Sequence, residues 1–392
     1  MEQVLTGQAR PELVARLIVH AIKAHAYLFI FAGLYGLSAM LLIQAGTPVS
    51  HQDFGAFSRS FLEQTVPIQL GMLLLLRCAK MVCERPRRPA LFLLADLKNL
   101  LFDPRRLLNG LPVAIALTVF LATFAFYKMN IPNLVPFVWD TTFTNLDERI
   151  HFGSHPWEWL QPVLGYPLVT QFLDTCYSFW FFVISTMWFA FAFVLRPSVL
   201  RTRFFLSFML IWALGGTFMA IVFSSAGPAF YERIGLDPAP YEGLLTYLAQ
   251  VSAVHPLFSF EGQKLLWSGY LGEQSVFTGI SAMPSMHNAT MMLFSLAAWR
   301  VDRRLGWGLI AFQVVIFLGS VHLGWHYAID AYVGYLLAAV LWIVTKPIAE
   351  WHERQSWSVA YVRLLKTSAR VFIPATEEDA PAAPGAAVAQ TL

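Results

Sequence analysis

The amino-acid sequence predicts an all-α integral membrane protein with about eight transmembrane helices and both termini cytoplasmic. Three observations predict this fold class. Of the 392 residues, 57% are hydrophobic and only 13% are charged, about half the charged share of a soluble domain. Several apolar runs reach the roughly 18 residues needed to cross a bilayer, and they are apolar all round rather than on one face. Positive charge is concentrated in alternate loops.

The eight predicted spans lie, in chain order, near residues 26–45, 62–82, 110–128, 176–195, 204–224, 284–299, 306–323 and 327–345. The apolar pattern is less regular in the second span and in the last three than in the others. Arg77 and Lys80 lie in or near the second span, and Gly and Pro interrupt the region around the sixth.

The distribution of Lys and Arg predicts the orientation of the spans. Basic clusters follow the second, fourth, sixth and eighth spans: Arg85, Arg87, Arg88, Lys98, Arg105 and Arg106; Arg196, Arg201 and Arg203; Arg300, Arg303 and Arg304; Lys346, Arg354, Arg363, Lys366 and Arg370. The loops 129–175 and 225–283 are richer in Asp, Glu, Trp and Pro. Because Lys and Arg concentrate in cytoplasmic loops, both termini are expected in the cytoplasm. The net charge of +3 then needs no nucleic-acid partner.

The remaining segments carry less information. Residues 84–107 are predicted to form either an amphipathic helix on the cytoplasmic surface or an ordinary connecting helix. Residues 1–23 are expected to be helical and lack the short apolar core of a cleavable signal peptide. The Ala/Pro-rich tail, 374–392, has the composition of a disordered segment. The three cysteines include no Cys-x-x-Cys pair, so neither a disulfide framework nor a thiolate metal site is expected.

Two short stretches, 281–287 and 322–330, place ionisable residues at the ends of spans. In the predicted topology His287 lies at the outer start of the sixth span and His322 at the outer end of the seventh. His326 opens the eighth span, and Asp330 lies one turn deeper. Ionisable residues at such positions are functional candidates. The topology therefore predicts that these residues meet in one extracytoplasmic pocket.

Helix geometry suggests how this pocket could work. His326 and Asp330 are four residues apart, so the carboxylate can hydrogen-bond one ring nitrogen of the imidazole and leave the other nitrogen basic. Pro284 suits a helix start, where the following amides of Ser285, Met286 and His287 would be unpaired. Two helix N-termini would thus direct N–H groups at one point, which favours an anion, above all a phosphate.

Other interpretations of the same residues stay open. A membrane histidine, His322 in particular, can serve only as a hydrogen-bond partner between helices. His322, His326 and Asp330 are spaced like metal ligands on one helix face, although Gly324 and the turn near it argue against a continuous helix. A lipid or small-molecule transporter with a histidine proton relay is the alternative from another class, but neither an internal repeat nor charged mid-span positions are evident.

These residues resemble the type-2 phosphatidic acid phosphatase superfamily and, within it, the branch of fungal inositol phosphorylceramide synthase, an inositolphosphotransferase. Its Pro-Ser-x-His motif is matched by residues 284–287, and its His-x-x-x-Asp motif by residues 326–330. The resemblance covers about residues 137–345 and is weak or absent in the first hundred. The segments 147–157 and 226–231 are weaker matches to the synthase-type branch.

The resemblance implies a role for each motif residue. His326 would attack phosphorus and form a phosphohistidine, and Asp330 would orient and activate it. His287 would protonate the departing oxygen and then deprotonate the incoming hydroxyl or water. Neither a metal nor another cofactor is expected in this scheme.

The sequence departs from the common form of the superfamily in its arginines. Gly319 and Ser320 stand where Ser-Arg precedes the motif histidine. The upstream Lys-x₆-Arg-Pro motif has only near misses, Lys80…Arg88-Pro89 and Arg196-Pro197, which are predicted on the cytoplasmic face, roughly 30 Å from the histidines. The missing arginines favour phosphotransfer or a phosphodiester substrate, which is less negative than a monoester. Arg233, Lys264 and His322 could supply charge instead.

Further residues complete the predicted site. The substrate-binding candidates are Ser285, Pro284, Tyr231, Gly227, His322 and Arg233. Asp140, Asp147, Asp174, Tyr231 and Glu232 in the outer loops could bind a polyol acceptor, or could simply be solvated loop residues.

The expected function is transfer of a phosphoryl or phospho-headgroup from a membrane lipid to an alcohol, with a lipid phosphatase that uses water as the alternative. The domain prediction is an N-terminal part (1–108), a catalytic membrane domain (109–346) and a cytoplasmic tail (347–392). The expected location is the bacterial inner membrane, with the active site on its extracytoplasmic side. The expected partner is a lipid with a phosphorylated headgroup, and the sequence does not determine the oligomeric state.

Overall fold

The computed structural model describes residues 9–47, 49, 54–273 and 279–372. In these residues the regular secondary structure is helical, without a β-strand. Seven of the described helices are long and apolar enough to cross a membrane. The protein is therefore an all-α integral membrane protein, as its hydropathy predicts. The tail predicted to be disordered, 374–392, lies outside the described residues.

The helices follow one another along the chain with short connections. They are α1 (Ala9–Ala24), α2 (Ala26–Gln44), α3 (Phe54–Glu84), α4 (Pro89–Leu101), α5 (Pro104–Leu134), α6 (Asp140–Ile150), α7 (Pro156–Leu164), α8 (Pro167–Ala192), α9 (Val199–Leu210), α10 (Ala220–Val222), α11 (Glu242–Val254), α12 (Phe258–Tyr270), α13 (Met286–Val301), α14 (Arg303–His322), α15 (Ala328–Arg354) and α16 (Ser356–Phe372). A π-helix (Ile211–Met219) joins α9 to α10, and a 3₁₀ turn covers Pro228–Phe230.

Seven of the predicted spans coincide with the seven long apolar helices, and the sixth corresponds to α13. With 16 residues, α13 is about 24 Å long and shorter than its neighbours. It nevertheless runs the length of α14. His287 at its start lies beside the segment that follows α14, and at its other end Trp299 packs on Trp307, with ring centroids 5.2 Å apart. The sixth predicted span is thus present as a short helix.

The core of the bundle surrounds α13. Ala289, Met291, Leu293 and Phe294 of this helix are fully buried against α8, α9, α14 and α15. In contrast, the apolar window of α3, residues 66–84, contains no buried residue. Because α13 is shielded by other helices, it can carry polar residues such as Asn288 that a lipid-facing helix would expose to hydrocarbon.

The segment 84–107 differs from the prediction of one helix. Only residues 89–101 form α4, and α5 already begins at Pro104. Asp103 separates the two because its carboxylate accepts a 2.8 Å hydrogen bond from the Arg105 amide and a 2.6 Å ion pair from the Arg105 guanidinium. An aspartate that caps a helix start in this way fixes the boundary.

Candidate active site

The structure brings His326, Asp330 and His287 together. His326 lies in the connection before α15, and Asp330 lies in the first turn of that helix. The His326 Nδ1 and Asp330 Oδ2 atoms are 3.2 Å apart, and the His287 and His326 ring centroids are 6.2 Å apart. Asp330 is fully buried and His326 is 7% exposed, so the pair is shielded from water.

The surroundings of His326 keep its imidazole neutral and oriented. Asp330 Oδ2 binds Nδ1 of the ring and also accepts the Tyr327 amide at 3.0 Å. Burial, assisted by the positive charge of Lys128, lowers the pKa of His326 to about 3, although the nearby Ala282 carbonyl opposes this shift. With Nδ1 bound to the carboxylate, Nε2 is the nitrogen that can act as a base or nucleophile.

His287 lies on the opposite side of the pocket, in the first turn of α13. Its ring packs against Tyr177 and Trp180 of α8, with centroid distances of 4.4 Å and 4.1 Å. Its buried Nε2 atom has no hydrogen-bond partner among the described residues. An imidazole held in this way by ring contacts keeps one nitrogen free for proton transfer.

The start of α13 is hydrogen-bonded to α15. This corrects the prediction that the helix starts at Pro284 with the following amides unpaired. The helix begins at Met286, not Pro284, with Ser285 as its N-cap residue. The Ser285 amide is not free, because it donates a 3.0 Å hydrogen bond to the Asp330 carbonyl. Gly334 permits this close approach, since a Cβ atom there would lie 2.8 Å from the Ser285 carbonyl oxygen. Pro284 and Ser285 are both buried, so they act here as scaffold.

The N-terminus of α15 is also occupied, so the prediction of two free helix starts is wrong for this helix. The Asp147 carboxylate accepts the Ala328 amide at 2.7 Å and the Ile329 amide at 2.9 Å. Burial raises the pKa of Asp147 to about 6, and the neighbouring charge of Asp330 adds to this, although the two amides oppose it. A carboxylate at a helix N-terminus satisfies both its amides and its dipole. An anionic substrate must therefore find other donors.

Two more outer-loop aspartates cap backbone groups in the same way. Asp140 accepts the amides of Ala226 and Gly227 and the hydroxyl of Tyr327, the shortest of these bonds being 2.7 Å. Asp174 accepts two amides at the start of α12 at 2.7 and 2.8 Å. Asp140, Asp147 and Asp174 are each 1% exposed. They are therefore neither solvated loop residues nor open ligands for a polyol.

The remaining substrate-binding candidates lie around the pocket rather than in it. Gly227 has a φ of +96°, and a Cβ atom there would lie 2.8 Å from the Trp325 carbonyl oxygen, so glycine is required where this loop meets the stretch before His326. Tyr231 is buried against Tyr241. Arg233 is exposed, with its guanidinium 5.6 Å from the Trp267 ring.

The charged candidates Glu232 and Lys264 are exposed as well. The Lys264 ammonium forms a 2.9 Å ion pair with Glu261. It is therefore already neutralised at the surface, and neither residue contributes to the pocket.

His322 is separated from the other two histidines. It ends α14 and is fully buried, and its Nε2 atom is 2.9 Å from the Thr170 hydroxyl of α8. The metal interpretation requires His322, His326 and Asp330 to share one helix. They do not share one, because α14 ends before α15 begins. Within the described ranges no group of three His, Cys, Asp or Glu side chains is arranged to hold a metal ion.

Sequence reasoning missed Lys128, at the end of α5. Its ammonium donates a 3.0 Å hydrogen bond to the Ser281 carbonyl and lies close enough to both histidines and Asp330 for their charges to interact. A signal was available, because a lysine at the outer end of a predicted span opposes the usual bias of positive charge toward the cytoplasm.

Ser320, at the position of the missing arginine, has a packing role. It is fully buried, and its hydroxyl accepts a 3.1 Å hydrogen bond from the Asn288 amide group. Asn288 in turn accepts the Tyr335 hydroxyl at 2.8 Å. This network links α13, α14 and α15, and it fills the space beside the pocket with neutral groups.

Comparison with known proteins gives one match. The sequence profile of the PAP2 superfamily matches residues 141–344, more than half of the 392-residue chain. The matched region contains both histidine motifs and Asp147, whereas Lys128 lies before it. No curated protein and no solved structure matches the chain.

Proposed function

Because the chain belongs to the PAP2 superfamily of lipid phosphatases and phosphotransferases, we propose that it transfers a phospho-headgroup from a lipid to an alcohol. One observation carries the proposal. His326 is bound through Nδ1 to Asp330 at 3.2 Å, and the imidazole of His287 faces the same pocket. A nucleophile with its orienting carboxylate and a separate acid–base group are the parts that such a transfer needs.

In the first step the lone pair of His326 Nε2 attacks phosphorus. The N–P bond forms while the bond from phosphorus to the lipid oxygen breaks. The departing oxygen takes a proton from His287, whose protonated form is favoured by the negative charge of the bound substrate. Asp330 stabilises the positive charge that develops on the His326 imidazole, because its carboxylate binds Nδ1–H.

In the second step the acceptor hydroxyl attacks phosphorus from the side of His287. The hydroxyl gives its proton to His287, the O–P bond forms, and the bond between phosphorus and His326 Nε2 breaks. The proton that His287 donated in the first step is thereby returned. The buried position of the histidines favours an alcohol over bulk water as the acceptor.

The charge of the pocket supports a phosphodiester donor. A phosphate monoester carries about 1.5 to 2 negative charges at neutral pH, whereas a diester carries one. Lys128 is the cation whose charge acts on both histidines and on Asp330, and Gly319 and Ser320 replace the Ser-Arg of the common form. The single positive charge of Lys128 thus matches the single negative charge of a phosphodiester.

The synthase-type branch of the superfamily and the extracytoplasmic side of the membrane complete the proposal. The absence of the two arginine motifs of the common form supports the inositolphosphotransferase branch, and the basic loops at the opposite end of the bundle support the outward position of the histidines. Lipid chains would reach the pocket laterally, between the helices.

A panel of lipids, assayed with and without inositol, glycerol or ceramide, tests this function. Purified protein is given phosphatidylinositol as the diester and phosphatidic acid as the monoester, and mass spectrometry follows headgroup exchange beside free phosphate. Exchange without phosphate release is the expected result. Release of free phosphate from the monoester alone would instead indicate a phosphatase. If neither lipid were consumed, the transporter interpretation would be favoured.

A further inference from the structure

Several buried polar atoms of the histidine site have no partner within the part of the chain that the structure describes. Among the described residues, no hydrogen bond reaches His287 Nε2, the Tyr177 hydroxyl, the Trp180 indole nitrogen or Asp330 Oδ1. Tyr177 and Trp180 are 5% and 3% exposed, so water at the protein surface does not satisfy them. Buried polar groups are nearly always hydrogen-bonded, and each unpaired one is unfavourable. A cluster of them at one point indicates groups that serve a ligand.

The Tyr177 ring packs beside both histidine motifs. The phenol ring stacks on His287 at an interplanar angle of 18° and lies near parallel to Trp325, the residue before His326, at 6.3 Å. The tyrosine therefore lies beside both His287 and the stretch that carries His326.

Tyr177 also packs beside the position at which the common form has Ser-Arg. A Cβ atom on Gly319 would lie 3.4 Å from Cδ2 of the tyrosine ring, so the ring packs directly on this glycine. A Cβ at position 319 would make van der Waals contact with the ring. The replacement of the common Ser-Arg by Gly-Ser thus goes together with an aromatic wall that carries a hydroxyl donor.

A role in packing alone does not account for the hydroxyl. The ring contacts of Tyr177 would be made equally well by phenylalanine, and the hydroxyl is buried without a described partner. Tyr361 offers a contrast at the other end of the bundle, because its buried hydroxyl donates a 2.9 Å hydrogen bond to Asn109. A tyrosine hydroxyl that serves the fold has a partner of this kind.

We propose that the Tyr177 hydroxyl donates a hydrogen bond to a non-bridging oxygen of the phosphoryl group held between His287 and His326. This inference rests on the proposed function and names a phosphate-binding residue that lies outside both histidine motifs. Tyr177 supplies a neutral donor where the common form has a cation. The pocket therefore stabilises the charge that develops on phosphorus without adding a second positive charge.

Orthovanadate, an analogue of the phosphoryl group in transfer, is the probe that tests this proposal. Its dissociation constant is measured by thermal shift for the wild-type protein and for Tyr177→Phe, in the same detergent. Removing one hydrogen bond to a charged group is expected to weaken vanadate binding about tenfold to a hundredfold. The same variant without vanadate should unfold at an unchanged or higher temperature, because an unpaired buried hydroxyl has been removed.

Tyr361→Phe is the matched control. It removes a hydroxyl that has a partner, so the unliganded protein should unfold at a lower temperature while vanadate binds as tightly as in the wild-type protein. Tyr177→Phe should thus lose vanadate affinity but not stability, and Tyr361→Phe should lose stability but not vanadate affinity. This contrast distinguishes a ligand-binding hydroxyl from a structural one. If Tyr177→Phe bound vanadate with wild-type affinity, the proposal would be overturned.

His326→Asn separates this inference from the proposed function. If it loses vanadate binding while Tyr177→Phe keeps it, the Tyr177 inference alone is wrong. If His326→Asn binds vanadate as tightly as the wild-type protein, or if the wild-type protein does not bind it at all, the proposed function is wrong and the Tyr177 inference falls with it.

Discussion

At the residue scale, the local spacing of the histidine motif was predictable and the other side of the pocket was not. The four-residue spacing of His326 and Asp330 indicates the pair from the sequence alone, although His326 lies just before α15 and only Asp330 lies in its first turn. Lys128 reaches the same site from α5 through a bond to the carbonyl of Ser281, which lies 153 positions later in the chain. Tyr177 comes from α8 in the same way. Contacts of this range depend on helix packing, which hydropathy does not encode.

Lys128 carries a prediction about charge. Lys128→Met keeps the length of the side chain but removes its ammonium, so kcat/KM for a phosphodiester donor should fall about tenfold to a hundredfold. Lys128→Arg should restore part of that loss because it restores the charge. Steady-state kinetics on the donor that turns over in the lipid panel measure both.

Lys346→Met is the control for this change. Lys346 is 60% exposed near the far end of α15 and lies 3.9 Å from Glu350, so its loss should change kcat/KM less than twofold. If Lys128→Met and Lys346→Met had equal kcat/KM, Lys128 would have no role in binding the phosphate.

At the element scale, aspartates from distant segments fix the helix starts that hold the site. The sequence correctly indicates a helix start just after His326. It does not reveal that Asp147, 181 positions from Ala328, occupies the amides there. At α13 a backbone group is the acceptor instead, because the amide of the N-cap Ser285 donates to the carbonyl oxygen of Asp330. Anion binding at helix starts is a sound expectation for free amides, but it fails when another part of the chain supplies the anion.

The Asp147 cap predicts a pH dependence. Its pKa of about 6 lies above the ordinary value of an aspartate, so in the folded protein the carboxyl gains a proton as the pH falls below about 6. A protonated carboxyl is a weaker acceptor for the two amides, and the first turn of α15 carries Asp330. We therefore expect kcat/KM to decline below about pH 6 in the wild-type protein.

Asp147→Asn tests the origin of this decline. The amide side chain is neutral at every pH, so the variant should be less active than the wild-type protein at pH 7 and nearly independent of pH between 7 and 5. The loss of a cap is expected to lower stability by about 0.5–2 kcal/mol. Asp174→Asn, which alters the cap of α12 instead, should keep the wild-type pH profile. If kcat/KM of Asp147→Asn still declined below about pH 6 as in the wild-type protein, another group would be responsible for the decline.

At the scale of the whole molecule, the sequence predicts seven of the long membrane-spanning helices well. Seven spans are local runs of apolar residues, and each one is a long helix. The sixth predicted span corresponds to α13, which has 16 residues and is not among the seven described helices long and apolar enough to cross a membrane. It carries polar side chains because other helices surround it. This helix brings His287 to the same end of the bundle as His326.

The orientation of the bundle is open to a labelling experiment. The three cysteines are first replaced by serine, and single cysteines are then introduced at two exposed positions, Asn145 beside the histidine pocket and Arg304 at the other end. In intact bacterial cells, a membrane-impermeant maleimide should label Asn145→Cys and spare Arg304→Cys until the membrane is opened. The reverse pattern would put the active site in the cytoplasm.

The central claim is that His326 becomes covalently bound to phosphorus, and one measurement addresses it directly. The protein is mixed with the donor lipid without an acceptor, quenched under alkaline conditions that preserve phosphoramidates, digested and analysed by mass spectrometry. We predict a headgroup–phosphate adduct on His326 that disappears in His326→Asn together with turnover. Full turnover by His326→Asn, or an adduct on His287 or His322 instead, would contradict the account.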